Sequence, residues 1–101
     1  MRVSRERFRR AVSELDGHVI PTLYRRRTFI VRVAPDDSGL EYTPLATGKP
    51  RVQSWAYVDK ILERYNATRS LRPRDYKEIT AHASYVLALL KRVAATDALS
   101  A

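Results

Sequence analysis

The sequence predicts an α+β domain: an N-terminal helix, a small antiparallel sheet of two or three strands, and then two or three helices packed on one face of that sheet. Three observations carry this. Apolar residues recur at helical spacing before Gly17, alternation with β-branched residues replaces that spacing between Val19 and Pro44, and helical spacing returns from Arg51 onward. A chain of 101 residues has room for one domain with a thin core, and two domains would each be too small to stand alone. Residues 1–101 are therefore read as a single unit whose last residues, 96–101, fray.

Phe8, Ala11, Val12 and Leu15 share one face of a helix over Ser4–Asp16, and Gly17 supplies its stop. On the opposite face, Arg10 lies four residues from both Glu6 and Glu14 and is locally neutralised. Arg2, Arg5 and Arg9 form a stripe without acidic partners. Phe29, Val31 and Val33 alternate with Thr28, Ile30 and Arg32. The turn signal Pro35-Asp36-Asp37-Ser38-Gly39 and the run Leu40–Thr43 complete a hairpin. His18–Tyr24 offers a third strand that Pro21 restricts to an edge or a bulge, with Arg25-Arg26-Arg27 at or near a turn; the alternative is one long strand through the triplet. Three adjacent arginines are too costly to bury, so part of this run faces water or a ligand.

After a loop over Pro44–Pro50, Val52, Trp55, Val58, Ile61, Leu62 and Tyr65 predict a helix from Arg51 to Asn66. Pro73 opens the next one. The helical period then runs from Tyr76 to Ala94, either as one helix or broken near Thr80–Ser84 with Ser84 as an N-cap. Tyr85–Leu90 is apolar nearly all round, which places it in the core or at a subunit interface.

The net charge is +8, and its placement is uneven. Residues 1–34 carry nine bases and three acids, residues 35–66 four bases and five acids, and residues 67–101 six bases and three acids. If folding joins the two basic stretches, the resulting face attracts polyanions, nucleic acid first among them. Fifteen of the nineteen bases are Arg, whose planar fork suits phosphate.

The absence of cysteine excludes disulfides, thiolate metal sites and cysteine nucleophiles. The opening Met1-Arg2-Val3-Ser4-Arg5 lacks the apolar segment of an export signal, and no apolar run approaches the length of a membrane span. A cytoplasmic location is the expectation. Thr47-Gly48-Lys49-Pro50 lacks the first glycine and the hydroxyl of a phosphate loop, although Lys49 and Arg51 remain available to phosphates as simple charges.

Asp75, Glu78 and His82 would line one face of a helix, and Glu78 with His82 has metal-ligand spacing. Such spacing is common, and a solvated polar face explains it better; no metal or cofactor is expected. Pro35-Asp36 upstream of Asp75-Tyr76-Lys77 resembles the divided signature of the PD-(D/E)xK nucleases, which implies carboxylates holding a divalent ion and a lysine assisting water. That family sets the triplet on a strand, whereas here periodicity puts it on a helix, so an enzyme is not expected. Lys77–Thr80 followed by Ser84–Val86 and Lys91-Arg92 resembles a helix-turn-helix, but its second helix presents leucines where polar readers are needed.

The reading favoured is a non-enzymatic nucleic-acid-binding domain, duplex DNA first, using arginine contacts to phosphate. Its candidate ligands are Arg2, Arg5 and Arg9, then Arg25, Arg26, Arg27 and Arg32, then Lys49 and Arg51, and finally Arg69, Arg72 and Arg74. The alternative is a small interaction subunit, or a homodimer, associating through the apolar C-terminal helix.

Overall fold

A computed structural model of the chain describes residues 2–23 and 27–100, with side chains described up to residue 95. It is α+β: helix α1 (Arg5–Glu14), strands β1 (Val19–Pro21), β2 (Thr28–Val33), β3 (Gly39–Pro44) and β4 (Arg51–Ser54), helix α2 (Trp55–Thr68), a 3-10 turn over Pro73–Tyr76, and helix α3 (Ala83–Ser100). The strands form one antiparallel meander in chain order.

Helix α1 starts one residue after the predicted Ser4 and ends two before Asp16. Ser4 is extended, and its hydroxyl accepts from the Arg7 backbone N–H at 3.2 Å. Gly17, at φ +79°, turns the chain toward β1 in a conformation that side-chain-bearing residues adopt only at a cost. Strand β1 is a short edge, as Pro21 requires, and pairs Val19 with Ile30 and Pro21 with Thr28.

Four strands rather than two or three is the main correction. Arg51–Ser54 is a strand and not the first turn of α2, because it pairs with Gly39–Tyr42 and sends Gln53 to the core and Val52 to the surface. Helix α2 therefore begins at Trp55, and it runs two residues past Asn66 to end on Arg69 in the left-handed conformation, φ 60°. The long helical reading over residues 73–95 is broken. A 3-10 turn and loop occupy Pro73–His82, and α3 starts at Ala83, one residue before the predicted cap. At its far end α3 is helical to Ser100.

Among the described residues the helices cover one face of the sheet. Ile20, Phe29, Val31, Leu40, Tyr42 and Gln53 point into the core, where α1 contributes Phe8 and Val12, and α2 contributes Val58, Ile61 and Tyr65. Helix α3 buries five consecutive residues, Val86 to Leu90, together with Val93. Its first turn is seated by Tyr85, which stacks on Tyr42 (centroids 4.3 Å) and meets Phe29 edge-on (5.0 Å). The predicted apolar interface on this helix is thus consumed within the chain over its described side chains.

The opposite face carries Val19, Ile30 and Thr43 in one row and Arg32, Glu41 and Val52 in the next. Val19 and Val52 are each more than half exposed there.

Two polar devices close the structure. Asn66 on α2 accepts from the Val3 backbone N–H (2.8 Å) and donates to its carbonyl (2.9 Å). Trp55 donates its indole N–H to the Asp37 carbonyl (2.9 Å), fixing the start of α2 to the β2–β3 turn. Of the three glycines only Gly39 has no room for a side chain: a methyl group there would lie 2.2 Å from the Gln53 carbonyl oxygen. Gly39→Ala must therefore push β4 away from β3. It is expected to cost about 3 kcal/mol and to lower the melting temperature by more than about 10 °C. Gly48→Ala, which has left-handed φ but open space around it, is expected to cost only about 1 kcal/mol. Thermal denaturation of the two variants checks this ordering.

Candidate nucleic-acid interface

The cations nominated from the sequence divide among several roles. The supposedly unpartnered stripe on α1 is partnered by elements distant in sequence. Arg5 grips both carboxylate oxygens of Asp59 on α2, with Nε to Oδ1 at 2.8 Å, and stands over the Trp55 ring at 5.9 Å. Arg9 binds Asp37 in the β2–β3 turn at 3.1 Å. Arg32 pairs with Glu41 directly across β2 and β3. Arg69 lies over the ring of Tyr65 at 5.2 Å. These side chains hold elements together.

Arg10 departs from expectation in the other direction. It shares a groove of about 660 Å³ between α1 and α3 with Glu6 and Glu14, yet forms no ion pair with either. Arg2, Arg7 and Arg92 line the same groove. Arg7 and Arg92 gave no signal in the sequence, because only the docking of α3 on α1 brings them together. Arg72 caps the 3-10 turn and Arg74 lies within it, both exposed, near an Arg64 that binds the Asp75 carbonyl at 2.6 Å and the Glu78 carboxylate.

A cluster remains at one end of the sheet. Phe29 at the start of β2 is in register with Pro44 at the end of β3, and Tyr42 with Arg51 at the start of β4. The β1–β2 and β3–β4 connections consequently open at the same end. Neither residues 22–27 nor residues 45–50 include an acidic residue. Arg27 is exposed, and Thr22 ties it down by accepting its backbone N–H on Oγ1 (3.2 Å) and donating to its carbonyl (2.7 Å). Lys49 and Arg51 are exposed in and after the β3–β4 connection at the same end. Tyr24, Arg25 and Arg26 lie outside the described residues.

His82 joins this end from the loop before α3. The Arg51 Nη1 approaches His82 Nε2 at 3.3 Å. A guanidinium has only donors, so Nε2 is the accepting nitrogen of the His82 ring in this contact. This residue was read as a metal-ligand candidate. The chain between Lys77 and His82 is not helical, Glu78 is held by Arg64, and among the described residues no group of three His, Asp or Glu could hold a metal ion. The nuclease resemblance fares similarly. Asp36 is capped by the Ser38 N–H (3.1 Å) and hydroxyl (2.6 Å), and Asp75 receives the Ser70 hydroxyl. The helix-turn-helix resemblance lacks its first helix, and Leu87, Ala88, Leu89 and Leu90 are buried.

No helix among the described residues is long and apolar enough to cross a membrane. No protein-family model, no curated protein and no solved structure matches the chain.

The paired carboxylates have a titration consequence. Hydrogen bonding from Arg5 holds the Asp59 carboxyl below its ordinary range. Because its folded value lies below the unfolded one, the pair contributes fully above the ordinary carboxyl value of about 3.9, and the contribution is lost as pH falls through the lowered folded value. Asp59→Asn is expected to lower stability at neutral pH and to flatten its decline in acid. Urea denaturation from neutral to acid pH measures both; parallel curves for the variant and the parent chain would contradict it.

Proposed function

We propose that the chain is a non-enzymatic nucleic-acid-binding domain that contacts the phosphates of duplex DNA from the basic end of its sheet, through Arg27, Lys49 and Arg51. The observation that carries this reading is the meander register. It opens two connections free of acidic residues at one end, while Arg5, Arg9 and Arg32 are spent on internal carboxylates. Arg25 and Arg26 adjoin Arg27 in sequence and belong to the same proposal. Arg2 in the α1–α3 groove, with Arg72 and Arg74 at the 3-10 turn, are secondary candidates for a longer contact path.

Contacts of this kind make affinity fall steeply with salt, by about 0.9 in the log–log slope for each phosphate neutralised. In a mobility-shift assay with a duplex probe, replacing Arg27, Lys49 and Arg51 together by Ala should weaken binding and reduce the slope by about 2.7. Arg5→Ala should change the slope far less, since that guanidinium already has a carboxylate. Absence of any shift at low salt overturns the reading, as does an equal loss of slope from Arg5→Ala.

A further inference from the structure

The uncovered sheet face offers a surface unlike the basic end. Of the four large hydrophobic side chains that stand exposed among the described residues, Val19, Leu45, Val52 and Tyr57, two lie on this face and a third prolongs it. Val19 lies in register with Ile30 and Thr43, and Val52 with Glu41 and Arg32. Leu45 continues β3 past Pro44, its N–H bonded to the Thr28 carbonyl at 3.0 Å. The face is therefore aliphatic and β-branched, and its central cation, Arg32, is neutralised by Glu41 across the strand pair.

Each class of occupant makes a different demand on such a surface. Nucleic acid needs donors aimed outward, and this face presents methyl groups in their place. A second copy would bring another +8 of charge, and four short strands offer roughly 300 Å², well below the about 800 Å² per partner of a standard interface. A short segment is the right size. Charge sets its character, because the Leu45 end of the face adjoins exposed Arg27 and Lys49, whereas the other end meets the Asp36-Asp37 turn.

We infer that the outer face of the sheet docks a short segment of a protein partner whose aliphatic side chains lie on Val19, Ile30 and Val52 and whose carboxylates meet Arg27 and Lys49. The inference shares Arg27 and Lys49 with the nucleic-acid reading, but its aliphatic contacts on Val19, Ile30 and Val52 have no part in phosphate binding, so the two readings fail separately.

The test uses the full chain, isotopically labelled, titrated with short synthetic peptides in which Val, Ile or Leu alternates with Asp or Glu. Two control peptides replace the aliphatic residues by Ser or the acids by Lys. The amide signals of Val19, Ile30, Thr43, Leu45 and Val52 should shift with the first peptide, and both controls should bind about tenfold more weakly. Val19→Glu and Val52→Glu alter exposed positions, and with melting curves confirming the fold each should cost the first peptide about tenfold in affinity. Four results overturn the proposal: no shifts; shifts confined to Arg27, Lys49 and Arg51; equal binding by the Ser peptide; or concentration-dependent self-association through this face in sedimentation of the protein alone.

Discussion

The enclosure of α3 is the constraint on which the rest of this structure depends. Five consecutive buried residues on one helix, Val86 to Leu90, demand neighbours on every side, and each large aliphatic chain among them is worth about 2 kcal/mol when fully removed from water. The sheet, α1, α2 and the 3-10 turn are arranged to supply those neighbours. Tyr85 fixes the helix against the sheet by contacting Phe29 and Tyr42 on adjacent strands. Burial of Tyr42 there pushes its phenol above the ordinary value, as expected for a group whose charged form has lost water. With its helices committed to one face, the molecule has none left for the other.

Much of this was legible locally. The serine before α1, the glycine after it, the proline in β1 and the five-residue turn between β2 and β3 each act on the backbone within a few residues, so sequence spacing reveals them. What escaped was decided at a distance. Val52 sits in phase with Trp55 and Val58 and so reads as helix, yet its segment is a strand because Leu40 and Glu41 are there to pair with it. The sequence left open a break near Thr80–Ser84, but the 3-10 turn that replaces a helix over Pro73–Tyr76 escaped for a related reason. Tyr76 and Ile79 keep helical phase with the residues after them, but the Tyr76 hydroxyl is drawn to the Ser70 carbonyl at 2.7 Å, which favours a tight turn.

The candidate site was legible to a lesser degree, since charge can be counted in a sequence but pairing cannot. An arginine stripe on an isolated helix looks available, and Arg5 and Arg9 become structural only when α2 and the β2–β3 turn bring up Asp59 and Asp37. The same folding that spends those cations leaves Lys49 and Arg51 exposed at one end of the sheet. An arginine-rich composition here serves two ends: cross-linking secondary structure through bidentate pairs, and furnishing a basic surface. Position in the fold, rather than residue type, separates them.

The reciprocal pair of hydrogen bonds between Val3 and Asn66 spans 63 positions. During synthesis the N-terminal segment emerges first, but its anchor is delivered only when α2 is nearly complete. Until then α1 must hold its Phe8–Val12 face without its final partners, at the entropic expense of a long open loop. Helix α1 is thus made before the element that supplies this anchor, and the contact closes only once α2 has reached Asn66.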